Sequence, residues 1–165
     1  MRFFKETQRF DQWWFHLINI LVLGVMIYPT YQAFRSNNLE ATEIYVLILA
    51  FILVLLLLGL VYSIKLRTQI DEKGIHYGFF PFHRKNRIVP WSNIEHCYVR
   101  TYNPITEYGG WGYRGIRRNS KAFNIKGNQG IQIVFKTGGK LLIGTQKTAE
   151  AGQIINRYFK QDEGI

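Results

Sequence analysis

The stretch Ile44–Ile64, IYVLILAFILVLLLLGLVYSI, contains no charged residue. A helix at the surface of a soluble core shows a single apolar stripe, whereas apolar residues on every face mark a segment surrounded by hydrocarbon. The run is long enough to cross a bilayer, which takes about 20 helical residues. Tyr45 and Tyr62 flank it, where interfacial aromatics belong. A second apolar stretch lies upstream, from Trp13 to about Phe34, with an uncharged centre over Leu17–Tyr28. His16 and Asn19 are its polar members near the start, and Trp13, Trp14, Tyr28 and Tyr31 bracket it. Pro29 is expected to kink or end this helix. Asp11, Trp13 and Trp14 precede the run and no small-residue cleavage site follows Tyr28, so it does not read as a signal peptide. Residues 1–64 are therefore expected to form an N-terminal segment and a transmembrane hairpin, with helices over about 13–34 and 44–64.

Charge divides the chain at the same place. Up to Ile64, Arg2, Lys5, Arg9 and Arg35 are balanced by Glu6, Asp11, Glu40 and Glu43, so the net charge of +10 resides in residues 65–165. The connector RSNNLEATE (Arg35–Glu43) is short and net acidic, while Lys65 and Arg67 follow the second apolar run. Basic flanks favour the cytoplasmic side, which predicts both termini and the basic domain inside and the connector outside. A basic domain beside a bilayer is drawn to anionic headgroups. Alone it would point equally to nucleic acid; the anchor turns the reading towards lipid, and no nucleic-acid partner is expected.

From Lys65 the pattern changes to period two, which indicates strands. Leu66, Thr68 and Ile70 alternate with polar residues, the turn Asp71–Gly74 follows, and Ile75, Tyr77 and Phe79 alternate again. The loop Pro81–Asn86, PFHRKN, is basic and aromatic. Further extended pieces are read at Arg87–Trp91, Ile94–Thr101, Ala122–Ile125, Ile131–Phe135 and Lys140–Gly144. Beyond Thr148, a plausible N-cap, Ala151, Ile154, Ile155, Tyr158 and Phe159 recur at helical spacing and give one apolar face. The expectation is about seven short strands in a curved antiparallel sheet, closed by a C-terminal amphipathic helix.

Gly74-Ile75, RIVPWSNI (Arg87–Ile94) and KLLIGTQKTAEAGQII (Lys140–Ile155) carry a resemblance. With the two membrane helices, they make the chain similar to the small bacterial membrane proteins that have a pleckstrin-homology-like (PH-like) domain, in a branch marked by EYGGWG. The resemblance covers roughly Lys65–Phe159. It implies a bent, barrel-like sandwich of seven strands capped by a helix, and a place in the cell inner membrane. It does not imply phosphoinositide binding, because the loop Asp71–Gly74 holds two acids and only Lys73 as a cation.

Chemical motifs are sparse. Cys97 is the single cysteine, so no intrachain disulfide forms. His16, His76, His83 and His96 lack a zinc-type spacing. No Walker loop, G-x-S-x-G, H-E-x-x-H or C-x-x-C occurs. No metal, cofactor or catalytic residue is therefore expected. The binding candidates are two basic clusters, Arg84, Lys85 and Arg87, and Arg114, Arg117, Arg118 and Lys121, with Trp111 and Tyr113 as interfacial aromatics. Glu107 stands among glycines and aromatics as a polar centre, read chiefly as a partner of a nearby arginine or backbone amide. The reading is a membrane-tethered, non-catalytic binding or scaffolding module that contacts a protein partner or an anionic lipid surface. The rival is a lipid-acting membrane enzyme or enzyme subunit centred on Glu107, Arg114 and Arg117.

Overall fold

The computed structural model describes residues 3–11, 13–35, 40–117 and 120–162. The chain divides into two compact units, Phe10–Ser63 on the one hand and Met1–Arg9 with Ile64–Ile165 on the other.

The first unit is a pair of helices, α1 (Trp13–Arg35) and α2 (Ala41–Ser63). Both contain a stretch long and apolar enough to cross a bilayer, Phe15–Gln32 and Thr42–Ser63, and almost nothing in either stretch is buried. The two helices meet through a small polar cluster. The Tyr62 hydroxyl lies 2.7 Å from His16 Nδ1 and accepts from Asn19 Nδ2 at 3.0 Å, and the Phe15 ring packs edge-on against Tyr62 at 5.6 Å. Of the two outcomes expected at Pro29, a kink or an end, the helix does not end there: α1 continues through it to Arg35, close to the expected bound. The residue after it, Thr30, donates its hydroxyl to the Met26 carbonyl at 2.7 Å, within the same turn.

The second unit holds, among the described residues, nine strands in two sheets. The first sheet is antiparallel, in the order β1 (Phe4–Arg9), β2 (Lys65–Asp71), β3 (Gly74–Phe80), β4 (Arg87–Pro90). Leu66, Thr68 and Ile70 on β2 and Ile75, Tyr77 and Phe79 on β3 point inward, as their alternation predicts. The sequence reading leaves Phe4–Arg9 in the N-terminal segment; here it is a full strand, paired with β2 from Phe4↔Ile70 to Arg9↔Lys65. The helical pair is thus an insertion between two hydrogen-bonded neighbours.

A single 3-10 turn (Trp91–Asn93) leads into the second sheet. Its elements are β5 (Ile94–Thr101), the short helix α3 (Pro104–Tyr108), β6 (Gly112–Arg117), β7 (Ser120–Asn124), β8 (Gln129–Phe135) and β9 (Lys140–Gly144). The strand order is β5-β8-β9-β7-β6, antiparallel except for the parallel pair β7–β9. Two corrections follow. The count is nine strands rather than seven, because β1 and β6 lack the apolar alternation used to recognise the others. And the single antiparallel sheet is two sheets, neither closed into a barrel among the described residues.

The sheets meet where Tyr77 and Phe79 contact Phe123, with ring centroids 5.2 and 5.7 Å apart. The terminal helix α4 (Thr148–Asp162) packs on β1 and β2 of the first sheet and on β5 and β8 of the second. Ala151, Ile154 and Ile155 form its buried face. Trp91 lies against Tyr158 and Phe159, and its indole N–H donates to the Asp71 carbonyl at 2.9 Å. The N-terminal strand is locked in by polar groups. Glu6 accepts from the Thr145 hydroxyl at 2.6 Å, the Gln146 amide at 2.9 Å and Gln8 Nε2 at 3.1 Å, and Gln8 also donates to the Gly144 carbonyl. A buried carboxylate is tolerable only when its oxygens are satisfied in this way.

Candidate functional site

Pro81–Asn86 joins β3, which ends at Phe80, to β4. The His83 amide donates to the Phe79 carbonyl at 2.7 Å and turns the chain back on itself. This places the His83 ring 5.2 Å from Phe123 and edge-on to Tyr77 at 5.8 Å. Phe82 stacks on Phe79 at 6.1 Å and touches Tyr113 at 5.7 Å. Tyr113 in turn lies parallel to Phe123, its cross-strand partner, with centroids 4.8 Å apart and planes 4° from parallel. A loop of the first sheet and the β6–β7 hairpin of the second are therefore joined by one ring cluster. Its outer members stay in solvent: Phe82 is 64% exposed and Tyr113 43%.

Two cations, Arg87 and Lys121, lie close enough to act on the His83 ring. Arg87 is the cross-strand register partner of Tyr77. Burial lowers the His83 pKa, and the positive charges of Arg87 and Lys121 lower it further. Burial raises the Tyr77 pKa, against the pull of Arg87. Arg84, Lys85, Arg87 and Lys121 are exposed. The sequence supplies no acid from Ile75 to Ile94 or from Tyr108 to Ala149, so no carboxylate from these segments neutralises the face.

Of the sequence candidates, the structure unites Arg87, Lys121 and Tyr113 and carries Arg84 and Lys85 on the same loop. It adds Phe82, His83 and Tyr77, which the sequence reading did not single out as site residues. Their one sequence signal is the aromatic and basic composition of PFHRKN. Trp111 belongs elsewhere: its indole N–H donates to the Gly127 carbonyl at 2.9 Å, and it borders an open concavity with Asn103, Ile105, Glu107 and Asn128. Arg114 Nε donates to the Trp111 carbonyl at 3.1 Å. Arg118 and the side chain of Arg117 lie outside the described residues.

Glu107 is held by an arginine and a backbone amide, the kinds of partner expected of it; the arginine is Arg100, which the sequence reading did not name. Arg100 Nη2 and Nη1 donate to its two oxygens at 2.7 and 3.2 Å, and the Asn103 amide donates at 2.8 Å. Asn103 reciprocates as N-cap of α3, its side chain accepting from the Ile105 and Thr106 amides. The Arg100 guanidinium holds the Glu107 carboxyl below its ordinary range, and Glu107 raises the Arg100 pKa in return. The following glycines serve the same turn. Gly109 caps α3 in the left-handed conformation at φ 71°, with its amide on the Ile105 carbonyl at 2.8 Å. Tyr102 and Tyr108 then cover Ala122 and Leu142 in a small second core. There Asn124, fully buried, donates to the Tyr102 hydroxyl and accepts from the Gly112 amide.

Burial pushes the Cys97 thiol up to about 12, which leaves it neutral and inert. Among the described residues no group of three or more His, Cys, Asp or Glu is placed to hold a metal ion. Comparisons with protein families, curated proteins and solved structures return no match to this chain.

Proposed function

We propose that this protein is a membrane-tethered, non-catalytic binding module. The helical pair spans the inner membrane with both termini on the cytoplasmic side, and the β unit is a PH-like domain that presents a basic aromatic face to an anionic lipid surface. The observation that carries the reading is the convergence of two basic segments, remote in sequence, on the ring cluster of Phe82, His83, Tyr113 and Phe123. Exposed aromatics among unneutralised cations suit headgroups, each surface-apposed cation contributing about 1 kcal/mol near an anionic leaflet. Two sheets with a C-terminal helix packed on both support the PH-like assignment. The engagement of both Glu107 oxygens by Arg100, and of one by the Asn103 amide, favours a structural role for that carboxylate over the enzymatic one.

The test uses the full chain in nanodiscs of phosphatidylcholine, titrated with added vesicles. Vesicles containing phosphatidylserine should bind and vesicles of phosphatidylcholine alone should not. Added salt should weaken the binding, and the combined change Arg84→Gln, Lys85→Gln, Arg87→Gln and Lys121→Gln should abolish it. Absence of binding to the anionic vesicles at low salt refutes the lipid reading and leaves an acidic protein partner for this face.

A further inference from the structure

The β3–β4 connection has features that the charge of the face alone does not explain. It exposes two phenylalanines, Phe80 at 42% and Phe82 at 64%, beside Arg84 and Lys85. Exposed aromatic rings with cations two to five residues away are the composition of a segment that sits at headgroup level, rings down and charges in the polar layer.

Its place in the sheet is equally specific. β2 begins at Lys65, with only Ile64 between it and the end of α2 at Ser63, and the cross-strand partner of Lys65 on β3 is Phe80. On the other side Lys65 pairs with Arg9, the last residue of β1 before the chain enters α1. The row Arg9–Lys65–Phe80 therefore crosses the sheet at the end from which the inserted helices depart. The root of the loop, Phe80, is thus the neighbour of the strand residue that the chain reaches two residues after leaving α2. The opposite end of the same sheet carries the β2–β3 turn, with Asp71 and Glu72; Asp71 is 3.0 Å from His76, and Glu72 is exposed. The sheet is polar along its length, cationic and aromatic at the end that receives the chain from the helices and acidic at the far end.

We infer that Phe80–Asn86 is a membrane-docking loop, seating Phe82 and Phe80 in the headgroup region of the same bilayer that the helical pair crosses. The inference deepens the proposed function and rests on its membrane-tethered reading. It commits the loop to the chain's own membrane, with Arg84 and Lys85 on anionic headgroups and the phenylalanine rings below them. The Asp71–Gly74 turn, where Asp71 and Glu72 outnumber Lys73, is disfavoured at the same surface.

Depth measurement on the full chain tests it. Cys97 can be retained, because a buried thiol held neutral does not take up a thiol-reactive dye. Phe82→Cys and, as the reference, Glu72→Cys are labelled with an apolar, environment-sensitive dye and reconstituted in nanodiscs containing phosphatidylserine. The dye at position 82 should be quenched by lipids spin-labelled near the headgroup and should lose its accessibility to aqueous iodide. The dye at 72 should show the reverse. Equal iodide accessibility at the two positions overturns the inference. Folding of each variant is checked by near-ultraviolet circular dichroism, and Asn86→Cys serves as a second loop position if Phe82→Cys does not fold. The two readings separate cleanly. Salt-sensitive vesicle binding with position 82 left in water removes the docking loop but keeps the basic face. Quenching at position 82 that is equal in phosphatidylcholine and phosphatidylserine discs and indifferent to salt keeps the loop in the bilayer and removes the anionic reading of the basic face.

Discussion

Removing the N-terminal strand should dismantle the β unit, although more than fifty residues separate that strand from its partner. Phe4 is fully buried, and Phe→Ala in a core costs about 3–5 kcal/mol, a large part of the roughly 5–15 kcal/mol that holds a domain together. At about 4 °C per kcal/mol for a unit of this size, Phe4→Ala should lower the melting temperature by about 12–20 °C. Lys5→Ala, at an exposed position of the same strand, should change it little. The assay needs a soluble version, and the register provides one. Arg9 and Lys65 are directly paired, so an Asn-Gly turn can replace residues 10–64, as in two-residue hairpins. The bypassed chain should unfold cooperatively in thermal denaturation. A fragment beginning at Lys65 should not, because it lacks Phe4 and leaves the Thr145 hydroxyl and Gln146 amide without their carboxylate. A Lys65–Ile165 fragment as stable as the bypassed chain, or a Phe4→Ala variant with an unchanged melting temperature, would refute this account of the sheet.

Other predictions concern single groups. Because the Glu107 pKa is lowered in the fold, its pairing stabilises the protein fully above the unfolded carboxyl value and is lost as pH falls through the folded one. Glu107→Gln should flatten that acid limb of the stability curve and cost about 1 kcal/mol or less at neutral pH, the pair being partly solvated; an unaltered limb contradicts the assignment. His83 should titrate below an ordinary imidazole in NMR, Arg87→Gln or Lys121→Gln should raise its pKa, and an anionic surface should do the same by favouring the imidazolium. A His83 pKa indifferent to both cations would place them elsewhere. Tyr62→Phe removes the hydroxyl that joins His16 and Asn19 and should destabilise the helical pair by about 0.6–2 kcal/mol in bilayer-mimetic unfolding; no change would mean the pair is held by packing alone. A periplasm-active reporter fused after Ile165 should be silent, and one inserted near Asn38 should be active; the reverse pattern would invert the topology.

Alternation made β2 and β3 legible because their inward positions are apolar, and helical spacing did the same for the buried face of α4. β1 was hidden because its inward residues after Phe4 are Glu6 and Gln8, buried through hydrogen bonds that no hydropathy pattern records. β6 was hidden by its glycines, and α3 by its length of five residues. For the site, the cations could be read in each segment, but their meeting could not. It depends on Tyr113 pairing with Phe123 on one sheet while Phe82 and His83 fold back from the other. Glu107 was legible as a polar centre, yet Arg100, seven residues earlier on a different element, was not legible as its partner.

Side-chain footprinting of the full chain in nanodiscs tests the central claim most directly. Tyr113 and Tyr98 are similarly exposed, at 43% and 47%, but only Tyr113 belongs to the basic ring cluster. In discs containing phosphatidylserine, hydroxyl-radical oxidation of Tyr113 and Phe82 should fall relative to Tyr98, and salt should restore it. Equal oxidation of Tyr113 and Tyr98 in anionic and neutral discs alike would contradict a lipid-facing role for this surface.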